Sequence, residues 1–174
     1  MHLVLTALGS DRPGLVTEIS QVIFNNGCDI VDSRMIALGG EFALLMQVTG
    51  SWNAVTKVED SLLSLEAKIG MRIHTQRTTS TPGKLGMLPY AIDVVSLDHP
   101  GVVFHLASYF SGRGINIEEL STDTYFAPHT GTPMFAVHME VGVPSNQSIA
   151  ELRESFMVFC DRMNLDAVME PVKS

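Results

Sequence analysis

The apolar positions of this chain change their period in a fixed order, and they do so twice. "LVLTAL" at residues 3–8 is an apolar run that predicts a strand. From Gly14 to Asn25 the residues Leu15, Val16, Ile19 and Ile23 recur at i, i+1, i+4 and i+8, which predicts one face of a helix. "DIVDSRMIAL" at 29–38 and "FALLMQV" at 42–48 predict two strands joined at Gly39-Gly40, residues that accept the positive φ of a tight hairpin. A second helix follows from Asn53 to about Lys68, capped by Ser51 or Asn53, with Val55, Val58, Leu62, Leu65 and Ile69 toward the core. "MRIHTQ" closes the unit as its last strand.

The same succession returns with "YAIDVVSL", a helix near Val102 to Gly112, "INIEELSTDTYF", "MFAVHMEV", a helix from Gln147 to about Met163, and "DAVMEPV". Shifting the chain by 87 positions, half of its 174 residues, lays "GLVTEISQVIFNNGCDI" on "GVVFHLASYFSGRGINI" without a gap. Leu15 then meets Val102, Ile19 meets Leu106, Ile23 meets Phe110 and Ile30 meets Ile117. The chain is an internal duplication, with a first domain at 1–78, a linker at 79–88 rich in Thr, Pro and Gly, and a second domain at 89–174.

The order β-α-β-β-α-β predicts an α+β fold of two ferredoxin-like domains. Each is an antiparallel four-stranded sheet with both helices on one face. "FALLMQV" and "MFAVHMEV" look too apolar for an open face, so the halves are expected to pack together or the chains to form a homo-oligomer.

Composition narrows the function. Residues 1–87 carry eight acids and seven bases, and residues 88–174 carry eleven and four, within a net charge of −8. So acidic a surface repels a phosphate backbone, and direct nucleic-acid binding is not expected. No apolar run is long enough for a membrane span, and "MHLVLTALGS" reads as a strand rather than a signal peptide. Two cysteines without a CxxC, Cys28 and Cys160, read as reduced buried thiols of a cytoplasmic protein. The six histidines lack metal-ligand spacing, and no nucleophile elbow, phosphate loop or dinucleotide fingerprint is present. No catalytic residue, metal or cofactor is expected, and Glu118 and Glu119 are read as pointing to opposite faces of a strand.

The chemistry-bearing repeat is "DRPGL" at 11–15 and "DHPGV" at 98–102, where each first strand hands over to its helix. Asp11 or Asp98 is placed to cap that helix, with the proline in its first turn. Glycine leaves room for a close approach, and the helix N-terminus is a seat for a carboxylate. Asp29 and Asn116, at equivalent positions where the second strand begins, are read as lying alongside and holding an ammonium or other polar group. The whole outlines an amino-acid site.

This repeat, with its strand order, Asp-Arg-Pro-Gly-Leu and Gly-Ile-Asn-Ile, resembles ACT domains, regulatory modules that sense amino acids, over the whole chain apart from the linker. The resemblance implies that Gly14, Leu15, Gly101 and Val102 offer backbone amides to a small amino acid such as glycine, and that Asn116 binds its polar groups. Asp29 stands where that Asn is expected in the first half, and Arg12 and His99 differ at the second motif position, so the two seats need not bind alike. Two such domains without a catalytic one resemble a family of transcriptional regulators, and that likeness implies a negative regulator of transcription that binds a DNA-binding activator protein of glycine cleavage genes. The alternative is a free-standing, amino-acid-sensing subunit of a metabolic enzyme.

Overall fold

The computed structural model describes residues 1–79 and 86–172. Its elements are β1 (His2–Ser10), α1 (Leu15–Asn25), β2 (Asp29–Leu38), β3 (Glu41–Thr49), α2 (Trp52–Ile69) and β4 (Arg72–Thr78). The order repeats as β5 (Met87–Leu97), α3 (Val102–Ser111), β6 (Asn116–Phe126), β7 (Pro133–Pro144), α4 (Ile149–Met163) and β8 (Asp166–Pro171). Contacts divide the chain into Met1–Pro82 and Gly83–Ser174. Most of the linker expected at 79–88 lies outside the described residues, but Met87 and Leu88 belong to β5 rather than to a linker.

Each unit is one antiparallel sheet, ordered β2-β3-β1-β4 in the first and β6-β7-β5-β8 in the second. In β1 the residues Leu3, Leu5 and Ala7 face inward, and in β3 so do Phe42, Leu44, Met46 and Val48. They meet Leu15, Ile19 and Ile23 of α1 and Val55, Val58, Leu62 and Leu65 of α2 in one core. The second core repeats this with Val102, Leu106 and Phe110 of α3 and Leu152, Phe156 and Cys160 of α4. Both helices therefore cover one face of each sheet, and the fold is a tandem of ferredoxin-like βαββαβ units.

Three local readings change. Val16 stands on the helix but is 40% exposed, because Leu15 already takes the inward direction. Ser51 is the cap of α2, its side chain accepting from the Ala54 N–H at 3.2 Å, and Ser148 caps α4 in the same way. Of the third strands only β7 turns polar outward, its inward residues alternating with Ala136, His138 and Glu140, whereas Ala43, Leu45 and Gln47 leave the outward side of β3 mostly apolar.

A bulge interrupts β2 between Ile30 and Asp32, and another interrupts β6 between Ile117 and Glu119. The extra residue breaks the alternation of faces. A methyl on Gly142, whose neighbours Val141 and Val143 point inward, would lie 2.5 Å from Glu118 Oε1. Glu119 pairs with Glu140 on that outward side as well. Glu118 and Glu119 thus share the open face, contrary to the alternation read from sequence.

Candidate ligand seats at the strand–helix turns

The two Asp-x-Pro-Gly turns are built alike from the backbone upward. Asp11 N–H donates to the Gly40 carbonyl at 3.0 Å, tying the turn to the β2–β3 hairpin, and Asp98 N–H donates to the Pro133 carbonyl at 3.1 Å. Gly14 and Gly101 then occupy the cap position itself, in the left-handed region with φ 96° in each. That conformation is why glycine stands there. Neither helix has a side-chain cap, so Asp11 and Asp98 are not the caps expected, and Pro13 and Pro100 precede the cap instead of opening the first turn. The first intrahelical bonds run from Glu18 N–H to Gly14 O and from His105 N–H to Gly101 O, at 2.9 and 3.0 Å. Amides earlier in each helix have no intrahelical acceptor, which gives the turn its positive end.

Side chains make the two seats different. Arg12 donates to Glu18 Oε1 at 2.7 Å and to the Pro13 carbonyl at 3.2 Å. That hydrogen bond holds the Glu18 carboxyl below its ordinary value and the Arg12 guanidinium above its own. Both groups lie over Gly14, where an added methyl would stand 3.6 Å from Glu18 Oε1 and 3.8 Å from Arg12 Nη1. The counterparts 87 positions on are His99 and His105. His99 Nδ1 lies 3.2 Å from the Pro100 carbonyl, and a methyl on Gly101 would stand 3.5 Å from the His105 ring. The second turn opens on a cavity of about 550 Å³ lined by residues 98–104 and Phe135. Leu15 and Val102 contribute only backbone there, since both side chains are buried in the cores.

Asp29 and Asn116 do not join these seats within their own units. Thr49 pairs with both His2 and Asp29, whereas Glu41 pairs with both Ser10 and Leu38. Asp29 therefore stands at the start of β1 and the turn at its end, a strand length on the order of 25 Å away. Asn116 pairs with Gly142 while Asp98 lies beside Pro133, at the other end of β7. The reading that placed them alongside fails because β1 and β2 run parallel, so residues close in sequence to the turn start at the far edge. Asp29 instead lines a groove of about 500 Å³ with Thr17, Ser20, Gln21 and Phe24. Sequence reasoning missed Glu18, His105 and Phe135, and the 87-residue shift that pairs Glu18 with His105 was the available signal for two of them.

Among the described residues no group of three or more His, Cys, Asp or Glu is placed to hold a metal ion. No described helix is long and apolar enough to cross a membrane.

Comparison with known proteins converges on this architecture. The ACT domain family model matches residues 1–76. The glycine cleavage system transcriptional repressor of Escherichia coli (strain K12) is 32% identical over 163 residues, 94% of this chain and 86% of that protein. A crystal structure of a candidate glycine cleavage system transcriptional repressor superposes with a TM-score of 0.77 at 29% identity, covering 99% of this chain and 98% of the other. An unknown protein from Galdieria sulphuraria superposes with a TM-score of 0.78 at 27% identity, over 99% and 98% of the two chains. With both units matched along nearly their whole length, the chain belongs to the family of the glycine cleavage system transcriptional repressor, built from two ACT domains.

Proposed function

We propose that the chain is a non-catalytic negative regulator of transcription that acts in the cytoplasm by binding a DNA-binding activator of glycine cleavage genes. The observation that carries this reading is the 32% identity with the Escherichia coli repressor across 94% of the chain, since it spans both units and not a single module. The charge agrees: a net −8 opposes contact with DNA and favours control through a protein.

The second turn is the better amino-acid seat. It offers helix amides to a carboxylate, and Phe104 and Phe135 supply an apolar wall. In the first turn the Arg12–Glu18 pair already occupies the approach to Gly14. Each seat gains its polar partner from a second copy of the chain. Two β2 edges paired antiparallel bring the Asp29 end of one copy to the turn of the other, and two β6 edges do the same for Asn116. Such pairing also covers the exposed Ile30, Val31, Ile36 and Leu38 on an edge that otherwise invites association.

Thermal unfolding against a panel of amino acids, glycine included, tests the seat. Glycine has five heavy atoms, so its affinity is limited to roughly micromolar or weaker. A ligand at about 100 times its dissociation constant adds about 2.7 kcal/mol and raises the midpoint by several degrees. A selective shift, lost in Asn116→Ala, is expected. No shift with any amino acid removes the sensing role, and failure to capture the activator removes the regulatory one.

A further inference from the structure

The open face of the second sheet has a chemistry that its duplicate lacks. Cross-strand pairing places Asp93, Glu119, Asp123, Glu140, Asp166 and Glu170 on it, in rows such as Glu119–Glu140–Ala91–Glu170 and Asp123–Ala136–Val95–Asp166. Glu118 lies over Gly142 on the same side. Among the described residues this face holds no lysine or arginine, and its one titratable base, His138, is 2.7 Å from Asp93. The corresponding face of the first sheet carries Arg34 paired with Asp32, so the duplication itself does not require the acidity.

Some of these acids stand directly opposite one another across the strands, as Glu119 and Glu140 do. Between them runs an apolar strip: Leu97 at 60% exposure, Val168 at 50% and Tyr125 at 40%, with Val95, Met134 and Ala136. An apolar strip bordered by charge is the anatomy of a protein interface, and the helices of a ferredoxin-like unit cover only the other face of its sheet.

We propose that this face docks a basic amphipathic helix of the protein partner, its apolar stripe on the Leu97–Val168 strip and its lysines or arginines over the flanking carboxylates. The proposal rests on the reading that the chain acts through a protein partner, and it names the surface and the complementary chemistry. Charge complementarity selects the occupant. Nucleic acid and anionic lipid are repelled by the same carboxylates that attract a cationic helix.

Fluorescence anisotropy with three synthetic peptides of roughly 18 residues tests it: a Lys/Leu amphipathic helix, its Glu/Leu counterpart and a Lys/Ser peptide without an apolar stripe. The Lys/Leu peptide binds the full chain, and binding weakens as salt rises. The triple variant Asp123→Asn, Glu140→Gln, Asp166→Asn weakens binding about tenfold, the loss expected of three exposed charge pairs. Leu97→Ser with Val168→Ser weakens it by a different route, and circular dichroism confirms that both variants are folded. Neutralising Glu151, Glu154 and Asp161 on α4 leaves binding unchanged. The proposal is overturned if the α4 variant loses as much as the sheet variant, or if the Lys/Ser peptide binds as tightly as Lys/Leu. It is also overturned if the triple variant still captures the DNA-binding activator as wild type does. Wild type that binds the Lys/Leu peptide at this face but captures no activator overturns the regulatory reading and leaves the face's chemistry standing.

Discussion

Gly14 and Gly101, 87 positions apart, hold the same left-handed backbone with φ at 96°. Neither is there for lack of space, because an added methyl meets nothing closer than 3.5 Å at either position. The cost of substitution is therefore conformational. Gly14→Ala and Gly101→Ala are each expected to lose about 1–2 kcal/mol of the stability of their own unit. Urea unfolding measures this, and a loss confined to one of the two would contradict equivalent turns.

The second core clusters several rings, whereas Phe42 is the buried ring of the first. Phe110 is fully buried, with its ring centroid 5.1 Å from Tyr109 and 5.3 Å from Phe156. Phe110→Ala leaves a cavity among them and is expected to cost about 3–5 kcal/mol. A denaturation midpoint that moves by less than a third of this would mean the ring cluster closes around the gap.

Much of this fold is legible in the sequence because periodicity and punctuation agree at specific places. Leu15, Ile19 and Ile23 repeat as Val102, Leu106 and Phe110, and all six are core residues. The start of β5 was not legible, because Gly86 and Pro89 look like linker. Pro89 is tolerated because it stands where the pairing with β8 ends: its carbonyl still accepts from Val172 N–H at 3.1 Å, and the missing N–H forgoes only a terminal ladder bond. The bulge that turns Glu118 to the open face was equally hidden, since bulges follow pairing and not composition. The candidate site was half legible. Local motifs mark the glycine turns, but which strand end lies beside them is a question of sheet register, and that sends Asp29 and Asn116 to the far end.

Helix caps offer a milder test. The Ser51 side chain accepts from Ala54 N–H at 3.2 Å, and that of Ser148 accepts from Glu151 N–H at 3.3 Å. Ser51→Ala and Ser148→Ala are each expected to cost about 1 kcal/mol. Asn53→Ala serves as the control and should be near neutral in the same unfolding assay, because Asn53 lies inside α2.

Both thiols are poor nucleophiles in the folded chain. Cys28 and Cys160 are buried, and burial raises each thiol pKa, that of Cys160 to about 12. Since the thiolate is the reactive form, iodoacetamide at pH 8 should label neither residue until the protein is unfolded in urea. Mass spectrometry of the native protein showing rapid labelling of Cys160 would mean that α4 opens locally.

His138 provides a pH signature for the acidic sheet. Its hydrogen bond to Asp93 is the main cause that raises its pKa above the ordinary value, and Asp93, Glu140 and Glu119 add their charge. A group whose folded pKa is raised contributes stability in its protonated form. That contribution is complete below the unfolded pKa of about 6.5 and disappears as pH rises through the higher folded value. The His138 side chain is 45% exposed, so solvent screening limits the effect to about 0.5 kcal/mol or less. Thermal unfolding from about pH 5.5 to 8.5 should show wild type losing a small margin over His138→Gln as pH increases. Raising the salt concentration should shrink that margin, because the partners are surface charges. Identical pH profiles for the two proteins would mean that the pair adds nothing to the fold, and that the carboxylates around it repel one another without relief from His138.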